Sequence, residues 1–162
     1  MSVIVAHTTP QFCQMYFDSA AASEDMAVTT STPKAIKHAG VGLVGIAGSW
    51  RVINLISALS RRKVTPKMIL ETLKAVKGED ESIKDMEIIC AWPNRPLVII
   101  QSDLSVIELE SSFMAIGSGS AYSIGYLEAC KKITEKELHD AVRVAAKYTP
   151  EVMEPVKNLY CA

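Results

Sequence analysis

The order of the strand and helix patterns constrains the fold of this chain more than any other feature of its sequence. Short apolar and β-branched runs come first, two amphipathic helical patterns follow, and the same order then repeats. The first group of strands is predicted at Val3–Ala6, Gln14–Asp18, Ala35–His38 and Val41–Ala47. Between them, Ser19–Pro33 is predicted to be an irregular connection with one short strand at most. The predicted order shows no strand–helix–strand alternation. A doubly wound parallel sheet is therefore disfavoured, and helices layered over antiparallel sheets are favoured.

The remaining patterns complete this order. A helix is predicted from Ser49 to the basic cluster Arg61-Arg62-Lys63, and a second helix from the cap Thr65-Pro66 to Gly78, before a charged loop at Glu79–Asp85. Further strands are predicted at Glu87–Ala91, Leu97–Gln101, Val106–Glu110 and Phe113–Gly117. Two more helices at Ser120–Lys132 and Thr134–Lys147 and a short strand at Val156–Tyr160 complete the chain. We therefore expect an α+β fold, a four-layer αββα sandwich of two antiparallel sheets flanked by helix pairs, formed by a single domain over residues 1–162.

The composition is that of an ordinary globular protein and excludes several classes of function. The chain has 162 residues, of which 49% are hydrophobic and 22% are charged, with a formal net charge of -1. That length is sufficient for one domain with its own core. Because the net charge is close to zero, bulk charge does not attract nucleic acid. No apolar run approaches the roughly 18–20 residues that span a bilayer, so we expect a cytoplasmic protein with no membrane partner.

The cysteines and histidines form no recognisable metal or catalytic motif. The four cysteines, Cys13, Cys90, Cys130 and Cys161, include no Cys-x-x-Cys pair, and the three histidines, His7, His38 and His139, are isolated in the sequence. We therefore expect free, mostly buried thiols and neither a metal site nor a cofactor.

The N-terminus offers a nucleophile of a different kind. A small residue at position 2 permits removal of Met1, after which Ser2 carries both a hydroxyl and a free α-amine. The amine has an unperturbed pKa of about 7.7–8, so near neutral pH it can accept the proton of the hydroxyl. By itself a Met-Ser start more often serves only for processing.

Three later residues supply the groups that such a nucleophile needs. A cation lowers the pKa values of the hydroxyl and the amine, a carboxylate holds that cation, and a backbone N–H stabilises the oxyanion. Asp18 at the end of the second strand and Lys34 before the third are expected to meet beside the first strand, and Gly48 ends an apolar strand. The alternative interpretation is structural, with a salt bridge at a sheet edge and a turn before a helix.

In the order of these residues the sequence resembles the proteasome β-subunit superfamily of N-terminal-nucleophile hydrolases, and most of all its bacterial HslV-type peptidases. Ser2-Val3-Ile4-Val5 matches the N-terminal nucleophile segment, where the family usually has threonine. Asp18 and Lys34 match the acid and the catalytic lysine, and Ala47-Gly48 matches the pair whose glycine N–H serves the oxyanion hole. Ala115-Ile116-Gly117-Ser118-Gly119-Ser120-Ala121-Tyr122 resembles the Gly-Ser-Gly turn, whose serine corresponds to Ser118.

The resemblance implies an endopeptidase that hydrolyses polypeptides with Ser2 as nucleophile. Ile46 and Trp50 correspond to the first specificity pocket and imply a preference for apolar side chains. Members of the family assemble into homo-oligomeric rings, which are usually supplied with substrate by an ATP-dependent unfolding partner. No cofactor is implied.

Two alternatives remain open at the level of sequence. Where the family usually carries an Asp and a Ser beyond the last helix, this chain reads Lys147-Tyr148-Thr149-Pro150, with no carboxylate before Glu151. Together with Met1 at the start, this allows a non-catalytic relative that serves as a structural or regulatory ring component. The second alternative is an N-terminal-nucleophile amidase that acts on a small-molecule amide.

Overall fold

The computed structural model describes residues 2–22, 27–30, 32–38, 42–59, 64–76 and 85–162. In these ranges the strands are β1 (Ile4–Thr8), β2 (Cys13–Phe17), β3 (Ala20–Ala22), β4 (Ala27–Thr29), β5 (Ala35–His38), β6 (Gly42–Ala47), β7 (Glu87–Ala91), β8 (Leu97–Gln101), β9 (Val106–Leu109), β10 (Phe113–Ile116) and β11 (Lys157–Cys161). The helices are α1 (Trp50–Ala58), α2 (Pro66–Val76), α3 (Ser120–Glu128) and α4 (Glu135–Tyr148). No helix in the described part of the chain has the length and apolar character needed to cross a membrane.

The strands form two large antiparallel sheets and one small one. The four-stranded sheet has the order β10-β1-β2-β11, and the five-stranded sheet has the order β5-β6-β7-β8-β9. Among the described strands, β3 and β4 pair with each other and with no other strand. The predicted four-layer sandwich is confirmed, because each large sheet also packs against one pair of helices.

Alternating side chains of the first strand explain why its sequence is apolar on both faces. Ile4 and Ala6 pack between the two sheets, against residues such as Leu43 of β6. Val3 and Val5 point the other way and pack against α3 and α4. A strand that is buried on both faces has a continuous apolar sequence, whereas a strand buried on one face alternates apolar and polar residues. The start of β1, and with it Ser2, is therefore held in the middle of the molecule.

The helices cover the outer faces of the sheets through stripes at helical spacing. Val52, Ile53 and Ile56 of α1 are buried and pack with Ile69 and Leu73 of α2 over the five-stranded sheet. Leu138, Ala141, Val142 and Ala145 of α4 are buried over the four-stranded sheet. These are the apolar stripes that the helical patterns predict.

Several boundaries differ from the prediction. The connection between β2 and β5 contains two short strands, β3 and β4, because an Ala- and Thr-rich sequence can pair without showing any apolar alternation. Helix α3 ends at Glu128, four residues before its predicted end at Lys132, since the Ala129 N–H bonds back to the Tyr126 carbonyl in a tighter turn. The Arg61-Arg62-Lys63 cluster, Gly78 and all but the last residue of the 79–85 loop lie outside the described residues.

The helix starts show how local hydrogen bonds complete the sequence signals. The Thr65 hydroxyl accepts a hydrogen bond from the Met68 N–H at 3.3 Å, which confirms the predicted cap of α2. At α4 the Thr134 hydroxyl bonds to the Glu137 carboxylate, and no side-chain cap bond to the backbone forms there.

Candidate active site

Ser2 lies at the start of β1, where it is buried and held from two sides. Its carbonyl oxygen accepts hydrogen bonds from the Gly119 N–H at 3.3 Å and from the Ser118 hydroxyl at 3.4 Å. On the other side, the Val3 N–H donates to Asp18 Oδ1 at 2.9 Å, and the Asp18 N–H donates to the Val3 carbonyl at 3.3 Å. The peptide group that follows the predicted nucleophile is therefore held at its N–H by Asp18 and at its carbonyl by the turn at Gly117–Gly119.

The structure brings Asp18 and Lys34 into direct contact, as the sequence predicts. Lys34 Nζ donates to Asp18 Oδ1 at 2.9 Å and to Oδ2 at 2.8 Å. The Lys34 side chain is only 2% exposed and the Asp18 side chain is 0% exposed. The Ala20 N–H donates to Oδ2 at 2.9 Å. Each oxygen of Asp18 thus accepts one bond from Lys34 and one from the backbone, so the buried carboxylate is well paired.

The surroundings of Lys34 set the electrostatics of this region. Burial lowers the pKa of the Lys34 ammonium below its ordinary value of 10.5, and the adjacent Asp18 carboxylate opposes that shift. Desolvation disfavours the charged form of an amine, whereas a nearby carboxylate favours it. The bidentate contact with Asp18 keeps a positive charge next to the strand that begins at Ser2.

Two glycines allow the backbone to approach closely at this site. Gly48 has a φ of 112°, and a Cβ there would lie 2.6 Å from the Asp85 carbonyl oxygen. Gly117 has a φ of 91°, and a Cβ there would lie 2.3 Å from the Ser2 carbonyl oxygen. Both positions need glycine because of backbone conformation and because of space. The turn at Gly117–Gly119 can therefore wrap around the Ser2 carbonyl.

Glu87 is a site residue that the sequence analysis missed. It opens β7, pairs in register with Ala47 of β6, and accepts a hydrogen bond at Oε2 from the Gly117 N–H at 2.8 Å. The only sequence signal is a carboxylate at the head of an otherwise apolar strand, Glu87-Ile88-Ile89-Cys90-Ala91. Such a residue is normally interpreted as a solvated strand end.

A cavity of about 610 Å³ joins several of these residues. The described residues that line it are Ser2, Ala47, Gly48, Ser49, Asp85, Met86, Glu87, Ser102, Gly117 and Ser118. The predicted nucleophile, the predicted oxyanion glycine and Ser118 thus share one open space that is large enough for part of a substrate. A larger cavity of about 730 Å³ runs along α4 and contains none of the predicted site residues.

Four predicted site residues do not line the cavity of Ser2. Asp18 and Lys34 are buried and are not among its lining residues. Ile46 is fully buried in the core between the five-stranded sheet and its helices, and Trp50 is half-buried against the same core. The structure therefore places Ile46 and Trp50 in packing contacts.

The described residues contain no group of three or more His, Cys, Asp or Glu side chains that could hold a metal ion. The four cysteines are unpaired thiols, and three of them are buried. The polar groups that line or adjoin the cavity of Ser2 include serine hydroxyls, the carboxylates of Asp85 and Glu87, and the backbone N–H groups of Gly48 and Gly117.

Comparisons with solved structures identify the fold. The chain is similar to Thiobacillus denitrificans BPH in complex with epoxomicin, with a TM-score of 0.78 and 19% identity over 98% of this chain and 97% of that chain. It is also similar to eukaryotic HslV from Trypanosoma brucei, with a TM-score of 0.73 and 17% identity over 98% of both chains. Anbu, an ancestral beta-subunit from Yersinia bercovieri, gives a TM-score of 0.75 and 15% identity over 98% of this chain and 80% of that chain. Neither the protein-family models nor the curated proteins compared with this sequence give a match.

The chain therefore has the fold of the proteasome-type N-terminal-nucleophile hydrolases. The likeness to HslV-type proteins that the sequence motifs indicate is confirmed for the fold, and it extends over nearly the whole chain.

Proposed function

We propose that this protein is a proteasome-like endopeptidase in which Ser2 is the nucleophile after Met1 has been removed. The observation that carries the proposal is the shared cavity of Ser2, Gly48 and Ser118, at the start of a strand that Asp18 and Lys34 hold in place. The similarity to BPH, which has been solved in complex with epoxomicin, supports a ligand-binding role for a protein of this fold.

In the proposed reaction Ser2 Oγ attacks the carbonyl carbon of a peptide bond. Its proton passes to the Ser2 α-amine, directly or through one water, and then to the leaving amine when the C–N bond breaks. The developing oxyanion is stabilised by the Gly48 N–H. An ester between Ser2 and the acyl part of the substrate remains, and a water molecule then hydrolyses it to regenerate the hydroxyl and release a carboxylic acid.

The other site residues act on the nucleophile. The Lys34 ammonium favours the deprotonated forms of the Ser2 hydroxyl and amine, and Asp18 holds Lys34 through both carboxylate oxygens. Ser118 orients Ser2 through its hydrogen bond to the Ser2 carbonyl. We also propose an apolar substrate preference beside Gly48. Ile46 is fully buried and Trp50 is half-buried, so both would shape this part of the site by packing and not by touching the substrate.

The proposed setting is a homo-oligomeric ring in the cytoplasm that encloses the active sites and receives unfolded polypeptide from an ATP-dependent partner. The similarity to a protein described as an ancestral beta-subunit supports an assembled state. Assembly would limit cleavage to chains that can enter the ring.

The test is hydrolysis of an unfolded polypeptide and of short fluorogenic peptides by the purified wild-type protein and by Ser2→Ala. Alanine is also small enough to allow removal of Met1, so this variant removes only the hydroxyl. We expect Ser2→Ala to be inactive and a matched variant of an exposed serine, Ser112→Ala, to keep wild-type activity. Unchanged peptide cleavage by Ser2→Ala would show that the assigned nucleophile is wrong.

The same assay separates the two alternatives. Turnover of small amides without cleavage of unfolded polypeptide would indicate an amidase. A wild-type protein that forms rings, retains Met1 and cleaves neither class of substrate would be a structural component, as the segment Lys147-Tyr148-Thr149-Pro150 allows.

A further inference from the structure

Glu87 forms a bridge between the two sheets at the site of Ser2. It belongs to the five-stranded sheet, whereas Gly117, whose N–H it accepts at 2.8 Å, follows the last residue of β10 in the four-stranded sheet. A hydrogen bond from an N–H to a carboxylate is about twice as strong as one between neutral groups. The contact therefore fixes the turn at Gly117–Gly119 relative to β7.

That turn holds the predicted nucleophile. The Ser118 hydroxyl and the Gly119 N–H both donate to the Ser2 carbonyl oxygen. Gly117 lies so close to Ser2 that a Cβ there would meet the same oxygen at 2.3 Å. A displacement of Gly117 is thus transmitted directly to the backbone of Ser2.

Glu87 is also fixed relative to the oxyanion segment. It pairs in register with Ala47, the residue that precedes Gly48. A Cβ on Gly117 would lie 3.3 Å from the Ala47 Cβ, so the turn and the end of β6 are in contact. One side chain therefore links the end of β6, next to the Gly48 N–H, to the turn that binds the Ser2 carbonyl.

We infer that Glu87 is a positioning residue, whose hydrogen bond to the Gly117 N–H sets the alignment of Ser2 Oγ relative to the Gly48 N–H. The inference rests on the proposed function and assigns to that site a carboxylate that acts through the backbone of the Gly117–Gly119 turn. It does not require Glu87 to exchange a proton with the substrate.

Two conservative substitutions distinguish positioning from charge. Glu87→Gln removes the charge but keeps an acceptor oxygen at the same distance from the backbone. Glu87→Asp keeps the charge but withdraws the acceptor by one methylene group. Positioning predicts that Glu87→Gln retains most of the wild-type kcat and that Glu87→Asp and Glu87→Ala lose about tenfold to a hundredfold, with KM within about twofold. An effect of charge alone predicts the opposite order for Gln and Asp.

The experiment measures kcat and KM for a fluorogenic peptide on the assembled protein, together with deuterium exchange of the Gly117 amide. We expect faster exchange at Gly117 in Glu87→Asp and Glu87→Ala but not in Glu87→Gln. Glu108→Ala, an exposed carboxylate on β9 of the same sheet, is the control and should match the wild type in kcat and in exchange. If Glu87→Ala does not fold, the Gln and Asp variants still carry the comparison.

The results also separate this inference from the proposed function. If Ser2→Ala is inactive but Glu87→Asp and Glu87→Ala keep kcat within about twofold of the wild type, the positioning role is overturned and the nucleophile stands. If Ser2→Ala is as active as the wild type, the proposed function itself is overturned.

Discussion

The Asp18–Lys34 pair gives a prediction whose size follows from its geometry. Lys34→Met removes two of the four hydrogen bonds that Asp18 accepts and leaves a fully buried carboxylate with only the Val3 and Ala20 N–H groups. Removing one partner of a buried ion pair costs about 3–5 kcal/mol, because the other charge remains buried without compensation. We therefore expect Lys34→Met to lower the free energy of unfolding by about 3–5 kcal/mol.

A double-mutant cycle tests this reasoning. Asp18→Asn should cost a comparable amount, but the double variant Asp18→Asn/Lys34→Met should cost at least about 2 kcal/mol less than the sum of the single variants. The measurement is urea unfolding followed by circular dichroism at one fixed protein concentration, because the proposed assembly would link stability to concentration. The exposed pair Lys67–Glu71, with N and O atoms 4.0 Å apart, is the control and should show a coupling of at most about 0.5 kcal/mol. Additivity within about 0.5 kcal/mol at Asp18 and Lys34 would refute the account.

Two further predictions concern backbone space and pH. Gly117→Ala should destabilise the protein by more than about 2 kcal/mol, since the new Cβ meets the Ser2 carbonyl and the φ of Gly117 is positive. Gly125→Ala in α3, with nothing within 4 Å of the added Cβ, should stabilise it by up to about 1 kcal/mol. Thermal unfolding of both variants checks this, and equal changes in melting temperature would contradict it. Burial lowers the pKa of His38 below its ordinary value of 6.5. Neutral His38 is therefore favoured by the folded state, whereas the unfolded chain binds a proton at His38 more readily. As the pH falls from about 6.5 toward the folded pKa, the free energy of unfolding decreases by at most about 1.4 kcal/mol per pH unit. His38→Leu should flatten the pH dependence of urea unfolding in that range, and an unchanged slope would show that His38 does not contribute.

The fold could be predicted because the order and periodicity of the elements leave few arrangements. The contact between Asp18 and Lys34 could also be predicted, since both residues lie next to strands whose ends must meet. The short strands β3 and β4 could not, because an Ala- and Thr-rich sequence carries no apolar alternation and its pairing depends on tertiary context.

Glu87 shows what local patterns cannot reveal about the site. Its partner Gly117 is 30 residues away and directly follows β10 of the other sheet, so the contact exists only once the two sheets have packed. Ile46 and Trp50 show the reverse, because each lies only two positions from Gly48 in the sequence but packs in or against the core and does not line the cavity. The sequence therefore indicates which strand ends converge but not which side chains face the open space between them.

The central claim is that Ser2 becomes a nucleophile with a free amine. Its most direct test is mass spectrometry of the purified protein after treatment with an aryl sulfonyl fluoride. This reagent sulfonylates activated hydroxyls. We expect an intact mass that lacks Met1 and includes one added sulfonyl group, which peptide mapping locates on Ser2. The Ser2→Ala variant should lose Met1 but gain no label. Complete retention of Met1, or a label on another residue with Ser2 unmodified, would contradict it.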